Sequence, residues 1–286
     1  MKRNDSNSKK RICGIIGKPL KHTLSPKMHN AAFKKLGLDY VYDSFEIEES
    51  ELANTMKNLK KRNFRGLSVT LPFKIKVMEH LDDVDELAED LGAVNTIVND
   101  EGKLTGYNTD SPAAVEAIRR NKIDLEHHMT ILILGAGGAA RAIALPLARM
   151  GKDVVIANRT FERARELATK FKSQGTIKVN ILDDIEEIIE DVDMIINCTP
   201  VGMKGGPQGS PISPELLRKD IIVFDMVYSP KNTELVLAAQ KSGAKVIYGY
   251  EMFIYQGVMA FEKWTCESAP IDVMQKVVLD ALDTEK

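Results

Sequence analysis

TILILGAGGAA, residues 130–140, joins an apolar run to a glycine-rich turn and then to a helical pattern. In a GxGxxA turn between a strand and a helix, the first glycine makes the tight turn and the second lets a pyrophosphate approach the backbone. The N-terminal amides of the helix then hold the charge. The alternative interpretation is a glycine-rich turn without a ligand. We predict a dinucleotide site in a βαβ unit, built on Gly135, Ala136, Gly137, Gly138 and Ala139.

The end of the next predicted strand, residues 154–157, indicates which dinucleotide binds. An NAD site normally places Asp or Glu there, on the ribose 2′-hydroxyl. This chain has Asn158, Arg159 and Thr160 instead. A carboxylate would repel a 2′-phosphate, whereas guanidinium and hydroxyl groups bond to it, so the segment favours NADP. Arg163 is a further candidate, although its helical phase leaves its role open.

Apolar strands alternate with helical periods along the rest of the chain, which is typical of an α/β protein. Before the glycine turn the pattern predicts strands at 12–16, 40–46 and 67–71 and helices at 26–36, at 49–62 and from about residue 111 to 121. After it the pattern predicts a helix at 161–171, strands near 177–181, 193–197, 221–225 and 244–247, and helices from about residue 249.

Two local signals refine this prediction. Ser25 followed by Pro26 is expected to cap the first helix. A turn at residues 100–102 separates two strand patterns and predicts a hairpin, so the first sheet is mixed. We therefore predict an N-terminal mixed-sheet substrate domain, residues 11–112, and a Rossmann-type domain, residues 113–249. Periodicity does not decide which domain the C-terminal helices, residues 250–286, join.

Composition restricts the classes of partner. The chain has 286 residues, 44% of them hydrophobic, a formal net charge of −2 and a pI near 6.3. This balance gives no general attraction to nucleic acid or to a membrane surface, so we expect a small-molecule substrate. The three cysteines form no CxxC pair, and the five histidines form no metal-binding cluster. We expect a soluble cytoplasmic protein without a metal, and residues 1–11 as a frayed tail rather than a nucleic-acid-binding arm.

Polar side chains follow strand ends in the first domain, where α/β folds collect their chemistry. Lys74 comes just after the stretch GLSVTLPFK begins to turn at Pro72, and Asp110 ends the stretch GYNTD. Hydride addition to a ketone leaves an alkoxide, which needs a proton donor and a positive charge beside the oxygen. Lys74 and Asp110 are therefore candidate catalytic residues, although a lone lysine is more often merely exposed.

The chain resembles the shikimate dehydrogenase family over about residues 12–280, through separated motifs. These are HTLSPKMHN (22–30), SVTLPFK (68–74), GAVNTI (92–97), GYNTD (106–110), GAGGAARA (135–142), NRT (158–160), NCTPVGM (197–203), DMVYSP (225–230) and QGVMAFEKWT (256–265). The resemblance implies reversible NADP-linked reduction of 3-dehydroshikimate to shikimate in aromatic amino acid biosynthesis. It also implies that the C-terminal helices return to the first domain and that a cleft separates the two domains.

The resemblance also implies roles for individual residues. Lys74 and Asp110 match the catalytic pair. The substrate-binding positions are Thr23, Ser25, Ser68, Thr70, Asn95, Tyr228 and Gln256. Beyond the glycine turn and the residues that favour NADP, the cofactor-binding positions are Thr199, Met203, Val227, Gly249 and Met252.

Some residues differ from the family pattern close to the substrate. Thr23 replaces a usual serine, Ser68 a usual asparagine and Cys266 a usual glycine. Losing a bidentate amide in a polar site can shift the preference among related hydroxy acids tenfold or more. Two alternatives to the leading function therefore stay open: a dehydrogenase for quinate or a similar cyclic polyol acid, and a catalytically silent NADP-binding paralogue. The oligomeric state, monomer or homodimer, is also left open.

Overall fold

The computed structural model describes residues 10–60 and 63–284, and these form two compact units. The first unit ends its N-terminal part at Thr109 and adds Gly257–Leu279. The second unit comprises Asp110–Gln256 and the residues from Asp280 onward. The predicted tail up to residue 9, residues 61–62 at the end of the second predicted helix and residues 285–286 at the C-terminus lie outside the described residues.

The first unit contains a mixed sheet, as the hairpin predicted. Its strands are β1 (Arg11–Gly17), β2 (Tyr40–Glu46), β3 (Phe64–Val69), β4 (Asp83–Val84), β5 (Thr96–Asp100) and β6 (Lys103–Tyr107). Their order is β2-β1-β3-β5-β6-β4, with β5 antiparallel to both its neighbours and the other pairs parallel. The carboxyl ends of β1 and β3 therefore meet at one edge of the sheet.

The second unit contains a parallel sheet. Its strands are β7 (Thr130–Leu134), β8 (Asp153–Asn158), β9 (Ile177–Ile181), β10 (Met194–Asn197), β11 (Ile222–Asp225) and β12 (Lys245–Tyr248). The order is β12-β11-β10-β7-β8-β9, and every pair is parallel. The order reverses between β7 and β10, which makes their carboxyl ends the topological switch point of a doubly wound fold.

Nine α-helices lie within the described residues. They are α1 (Ser25–Leu36), α2 (Leu52–Leu59), α3 (Glu86–Leu91), α4 (Asp110–Arg120), α5 (Gly138–Arg149), α6 (Phe161–Phe171), α7 (Glu234–Ser242), α8 (Gly249–Thr265) and α9 (Ile271–Asp283). None of the helices in the described part of the chain is long and apolar enough to span a membrane.

The first helix begins differently from the prediction. Ser25 does not cap it; Ser25 is the first helical residue, and the N-cap position falls on Leu24, which makes no side-chain capping bond. The first helical hydrogen bond runs from Met28 N to Leu24 O at 3.0 Å, and Thr23 Oγ1 accepts from the Ser25 amide at 3.3 Å. The strand β3 also ends at Val69, not at residue 71. Pro72 cannot donate to the sheet, and the Phe73 amide instead closes a turn on Thr70 O at 2.9 Å.

The unusual Cys266 has a conformational cost. Its φ of 59° lies in the left-handed region, which favours glycine because a Cβ crowds the backbone there. The glycine usual at this position in the family would adopt the same backbone without strain. Replacing Cys266 by glycine is therefore compatible with the native backbone.

An aromatic cluster fills one face of the first sheet. His29 is fully buried, stacks on Tyr42 with ring centroids 4.4 Å apart and lies 5.2 Å from Trp264. Neither ring nitrogen of His29 has a hydrogen-bond partner among the described residues. Burial lowers the pKa of His29 from 6.5 to about 3. The native imidazole is therefore neutral at physiological pH.

We predict that His29→Phe removes a pH dependence of stability. The folded pKa of His29 is depressed, so the native state resists its protonation while the unfolded chain accepts it below pH 6.5. The contribution of the neutral His29 to the free energy of unfolding is fully present above pH 6.5 and is lost as the pH falls towards 3. The slope of this loss approaches about 1.4 kcal/mol per pH unit. Denaturant unfolding of both proteins between pH 7.5 and 4.5 measures the difference in their free energies of unfolding. The titration of the carboxylates is common to both proteins and cancels in this difference. A constant difference in unfolding free energy across that range would contradict the prediction.

Candidate active site

The N-terminus of α1 presents two hydroxyls in the first unit. Thr23 Oγ1 donates to Ser25 Oγ at 3.2 Å, and Ser25 is buried. The first turn of α1 contains no acidic residue and no side chain caps it. Ser25 N already donates to Thr23 Oγ1 and Pro26 carries no N–H, so the two hydroxyls and the positive end of the helix dipole are what this end of α1 offers an anion such as a carboxylate. Thr23 and Ser25 thus lie in one small polar group.

The turn after β3 holds Lys74 by its backbone. Thr70 N donates to Ile16 O of β1 at 2.9 Å, Phe73 is buried, and Val94 N donates to Lys74 O at 2.8 Å. The Lys74 side chain is half-buried. The turn therefore ties Lys74 to the segment that leads into β5, next to the backbone of Asn95.

Asn95 is part of a closed ring of hydrogen bonds in the same unit. Asn95 Nδ2 donates to Thr109 Oγ1 at 3.0 Å, and Thr96 Oγ1 donates to Asn95 Oδ1 at 3.0 Å. Thr109 Oγ1 lies 3.1 Å from Thr96 Oγ1 and 3.2 Å from Asn95 Oδ1, so its hydrogen has an acceptor either way. Asn95 Oδ1 also accepts from Thr109 N at 2.7 Å, which fixes the orientation of the amide.

This ring has one uncommitted donor. Asn95 Nδ2 carries two hydrogens, and in the described part of the chain only one of them has a partner. Asn95 is 3% exposed and Thr96 and Thr109 at most 1%. A buried N–H without a partner is costly, so the remaining hydrogen suits a ligand hydroxyl. Sequence reasoning missed Thr96 and Thr109, although each is the threonine of an Asn-Thr pair in a quoted motif.

The other predicted substrate and catalytic residues are divided between the units. Ser68 lies in the first unit, opposite Thr96 across the β3–β5 pair. Asp110, Tyr228 and Gln256 belong to the second unit. Asp110 is buried at the start of α4, Tyr228 stacks on Phe253 at 4.4 Å, and Gln256 Nε2 donates to Phe253 O at 2.8 Å.

The glycine turn lies at the switch point of the second unit. Gly135 has a φ of 105° and a Cβ there would lie 3.2 Å from Thr199 Cγ2, so only glycine fits without strain. Gly137 is the N-cap of α5, makes no side-chain cap and faces open space. With Ala136, Gly138 and Ala139 it leaves the first amides of α5 available. These features fit the pyrophosphate of a dinucleotide.

The segment after β8 adjoins this turn, because Gly135 N donates to Ala157 O at 2.8 Å. Asn158 Nδ2 donates to Thr160 O at 2.8 Å and so shapes the segment. Arg159, Thr160 and Arg163 are exposed. Neither arginine has an ion-pair partner among the described residues. The end of β8 offers cationic and hydroxyl groups and no carboxylate, which fits a 2′-phosphate.

A buried carboxylate organises the loops after β10 and β11. Asp225 Oδ1 accepts from Asn197 Nδ2 at 2.9 Å and from Val227 N at 3.0 Å, and Thr233 Oγ1 donates to Asp225 Oδ2. Burial raises the pKa of Asp225, and the hydrogen bonds from Thr233, Val227 N and Asn197 oppose that rise. Sequence reasoning missed Asn197, Asp225 and Thr233, whose bonds join separate motifs.

Asn197 connects the Asp225 network to Thr199, which is predicted to lie on the nicotinamide side. Its Oδ1 accepts from Thr199 N at 3.0 Å and from Thr199 Oγ1 at 2.7 Å. Met203 N donates to Pro200 O at 3.1 Å within the same loop. Thr199 therefore has a fixed orientation beside Gly135.

The start of α8 closes on the loop after β11. A Cβ at Gly249 would lie 2.6 Å from the carbonyl carbon of Met226, so the position requires glycine. Met252, one turn along α8, is buried, as is Val227. The predicted cofactor residues of the second unit thus lie in the segments after β7, β8, β10 and β11, in the first turn of α6 and at the start of α8, which follows β12.

Comparisons with known proteins match three segments of the chain. Residues 15–97 match the shikimate dehydrogenase substrate binding domain, residues 117–202 the shikimate / quinate 5-dehydrogenase family and residues 249–279 the shikimate 5′-dehydrogenase C-terminal domain.

Whole-chain relatives are also found. The chain is 42% identical over 274 residues to shikimate dehydrogenase (NADP(+)) of Carboxydothermus hydrogenoformans, covering 95% of this chain and 98% of the relative. A crystal structure of a shikimate dehydrogenase in complex with NADP+ is 40% identical with a TM-score of 0.90, covering 96% and 97% of the two chains. The Thermus thermophilus enzyme in complex with NADP(H) and shikimate is 35% identical with a TM-score of 0.85, covering 95% and 99%.

We predict that Arg159→Ala weakens the use of NADP selectively. The guanidinium would bond to a 2′-phosphate that NAD lacks, and an arginine–phosphate pair is among the stronger charge-assisted contacts. We expect the KM for NADP to rise about tenfold or more and the KM for NAD to change less than about threefold. Steady-state kinetics with both cofactors measure this. Lys172→Ala removes a charge at the other end of α6 as the matched control, and equal effects of Arg159→Ala on both cofactors would refute the role.

Proposed function

The chain belongs to the shikimate dehydrogenase family, and we propose that it catalyses the reversible NADPH-dependent reduction of 3-dehydroshikimate to shikimate in aromatic amino acid biosynthesis. The observation that carries the proposal is the polar face of the first unit, with its one uncommitted Asn95 N–H in a buried ring of side chains. A small polyhydroxy acid needs hydroxyl and amide partners more than an apolar pocket. The whole-length match to shikimate dehydrogenases supports the same substrate.

Residues of the first unit recognise the substrate in this proposal. Thr23 and Ser25 at the uncapped start of α1 bind its carboxylate. Asn95 donates its second amide hydrogen to a ring hydroxyl, and Thr70 accepts or donates beside it. Because each partner of Asn95 is already bonded within the ring, the amide cannot turn to expose its oxygen. The site therefore prefers an acceptor oxygen at that point of the substrate.

Lys74 serves the reacting oxygen. Its ammonium donates a hydrogen bond to the ketone oxygen, stabilises the negative charge that develops there and supplies the proton. Bound NADPH supplies the hydride to the carbonyl carbon. The backbone bond from Val94 N to Lys74 O limits how far the lysine can move.

The remaining roles are proposed by position in the family motifs. Asp110 orients the reacting group, Tyr228 serves the substrate carboxylate and Gln256 a ring hydroxyl. Thr199, Met203, Val227, Gly249 and Met252 line the nicotinamide side, Arg159 and Thr160 bind the 2′-phosphate with support from Arg163, and Asn158 shapes that segment. A cytoplasmic location and a monomeric or homodimeric state stay predictions.

The second candidate is a dehydrogenase for quinate or a related cyclic polyol acid. Ser68 favours it, because a serine stands where the family motif usually has asparagine and so changes the donors and acceptors beside the substrate. The matched family is itself described as shikimate / quinate 5-dehydrogenase. A silent NADP-binding paralogue is disfavoured, because Lys74, Asp110 and Asn95 would have no use in it.

We predict that the purified protein oxidises shikimate with NADP, and that Lys74→Ala lowers kcat by at least ~10² with a smaller change in KM. The lysine charge is needed mostly in the transition state, so its loss falls on turnover more than on binding. Steady-state oxidation of shikimate and of quinate, each with NADP and NAD, measures both parts.

Lys76→Ala is the matched control, since Lys76 is exposed, pairs with Glu49 and lies two residues along the chain. A higher kcat/KM for quinate would support the second candidate. Cofactor binding without turnover of either acid would support a silent protein, and undiminished turnover by Lys74→Ala would remove the lysine from the mechanism.

A further inference from the structure

The hydroxyl hydrogen of Ser68 has no acceptor in the described part of the chain. Its side chain is buried at 7% exposure, and its Oγ accepts a hydrogen bond from Tyr42 Oη at 2.8 Å. No other side-chain hydrogen bond involves Ser68 within residues 10–60 and 63–284. Because Tyr42 donates, the Ser68 hydrogen is directed away from it. A buried donor without a partner is costly unless a ligand completes it.

Tyr42 is held firmly on both its backbone and its ring. Asn30 Nδ2 donates to Tyr42 O at 2.8 Å, and Tyr42 N donates to Asn30 Oδ1 at 2.9 Å. The ring is fully buried, stacks on His29 at an interplanar angle of 15° and lies 5.8 Å from Trp264. The phenol oxygen therefore has little freedom to leave Ser68.

Trp264 reaches this face because of a glycine in β3. A Cβ on Gly66 would lie 2.3 Å from Trp264 Nε1, and that nitrogen donates to Ile97 O at 2.9 Å. Gly66 and Ser68 are two residues apart on one strand, so they face the same side of the sheet. Trp264, which packs against Tyr42, thus covers Gly66, the neighbour of Ser68 on the same face of β3.

We propose that Tyr42 is a positioning residue that sets the substrate preference through Ser68. Tyr42 fixes the Ser68 oxygen and directs its hydrogen towards the substrate, so that Ser68 acts as a donor there. The inference rests on the proposed function, because it requires Ser68 to contact the acid. Under this proposal, the change in substrate preference that follows from serine in place of the usual asparagine depends on both Tyr42 and Ser68.

The direction of the effect follows from this geometry. Without the phenol hydroxyl, the Ser68 side chain can rotate and its oxygen can accept as well as donate. Binding of the preferred acid weakens, and discrimination between shikimate and quinate narrows, because the fixed donor is lost. The Tyr42 hydroxyl takes no part in the chemical step at Lys74, so its loss changes substrate binding and not kcat.

The test is a double-mutant cycle of Tyr42→Phe and Ser68→Ala. The KM and the calorimetric Kd of shikimate and quinate in the presence of NADP are measured for each protein. We expect Tyr42→Phe alone to raise both constants for the preferred acid about fivefold with little change in kcat, as for the loss of one hydrogen bond. In the Ser68→Ala background we expect Tyr42→Phe to change them less than about twofold, because the hydroxyl that it positions is already gone.

Tyr40→Phe is the matched control. Tyr40 lies on the same strand β2 and its hydroxyl donates to Trp264 O at 3.4 Å, not to Ser68. An equal effect of Tyr42→Phe in both backgrounds, or an equal effect of Tyr40→Phe, would show a merely structural role and overturn the proposal. An unchanged Kd and KM in Ser68→Ala would overturn it as well. Shikimate turnover by the unmodified protein is scored separately, so failure of the proposed function is told apart from failure of this inference.

Discussion

The orientation of the buried Asn95 amide is the constraint on which the proposed substrate-binding face of the first unit depends. A buried amide must place both its oxygen and its nitrogen against partners, or it costs stability. Asn95 meets this by bonding to Thr96 beside it and to Thr109, 14 residues along the chain. The hairpin of β5 and β6 brings these residues together, since Thr96 pairs with Tyr107 across it. Folding of the hairpin thus also orients the second Asn95 N–H, which has no partner among the described residues.

The second unit solves a similar problem with a second buried asparagine. Asn197 bonds to Asp225 on the neighbouring strand and to Thr199 in its own loop. Parallel strands place their carboxyl ends at one edge of a sheet, so an amide at the end of β10 can reach the end of β11. In both units the rigid part of the site is a side-chain network at a strand end. Loops alone would leave these groups mobile, and the networks pre-organise them.

Local patterns predicted much of the fold, because most strands and most helices carry their own apolar period, whereas the two-residue strand β4 shows none and was missed. The glycine turn could be predicted because the strand, the glycines and the helix follow one another directly in the sequence. Two helices were missed: α3, whose six residues are too few to show a helical period, and α7, although Thr233 caps its start and Gly243 ends it. The capping of α1 was predicted wrongly because Met28 N donates to Leu24 O, so the helix starts one residue earlier, and Thr23 rather than Ser25 supplies the hydroxyl that accepts from an N-terminal amide. The networks could not be predicted, because Tyr42 and Ser68 are 26 residues apart and Asn197 and Asp225 are 28 apart. Such pairs depend on strand register, which local periodicity does not give.

The most direct test of this organisation is the kinetics of Asn95→Asp with shikimate and NADP. The substitution keeps the shape and the oxygen that Thr109 N and Thr96 bond to. It replaces Nδ2, which donates to Thr109 Oγ1 and in our proposal to the substrate, by a carboxylate oxygen that can accept from the Thr109 hydroxyl but repels an anionic substrate. We expect kcat/KM for shikimate to fall at least ~10², while the Kd of NADP, bound by the second unit, stays within about twofold. Unchanged kcat/KM for shikimate would show that the Asn95 amide does not bind the substrate.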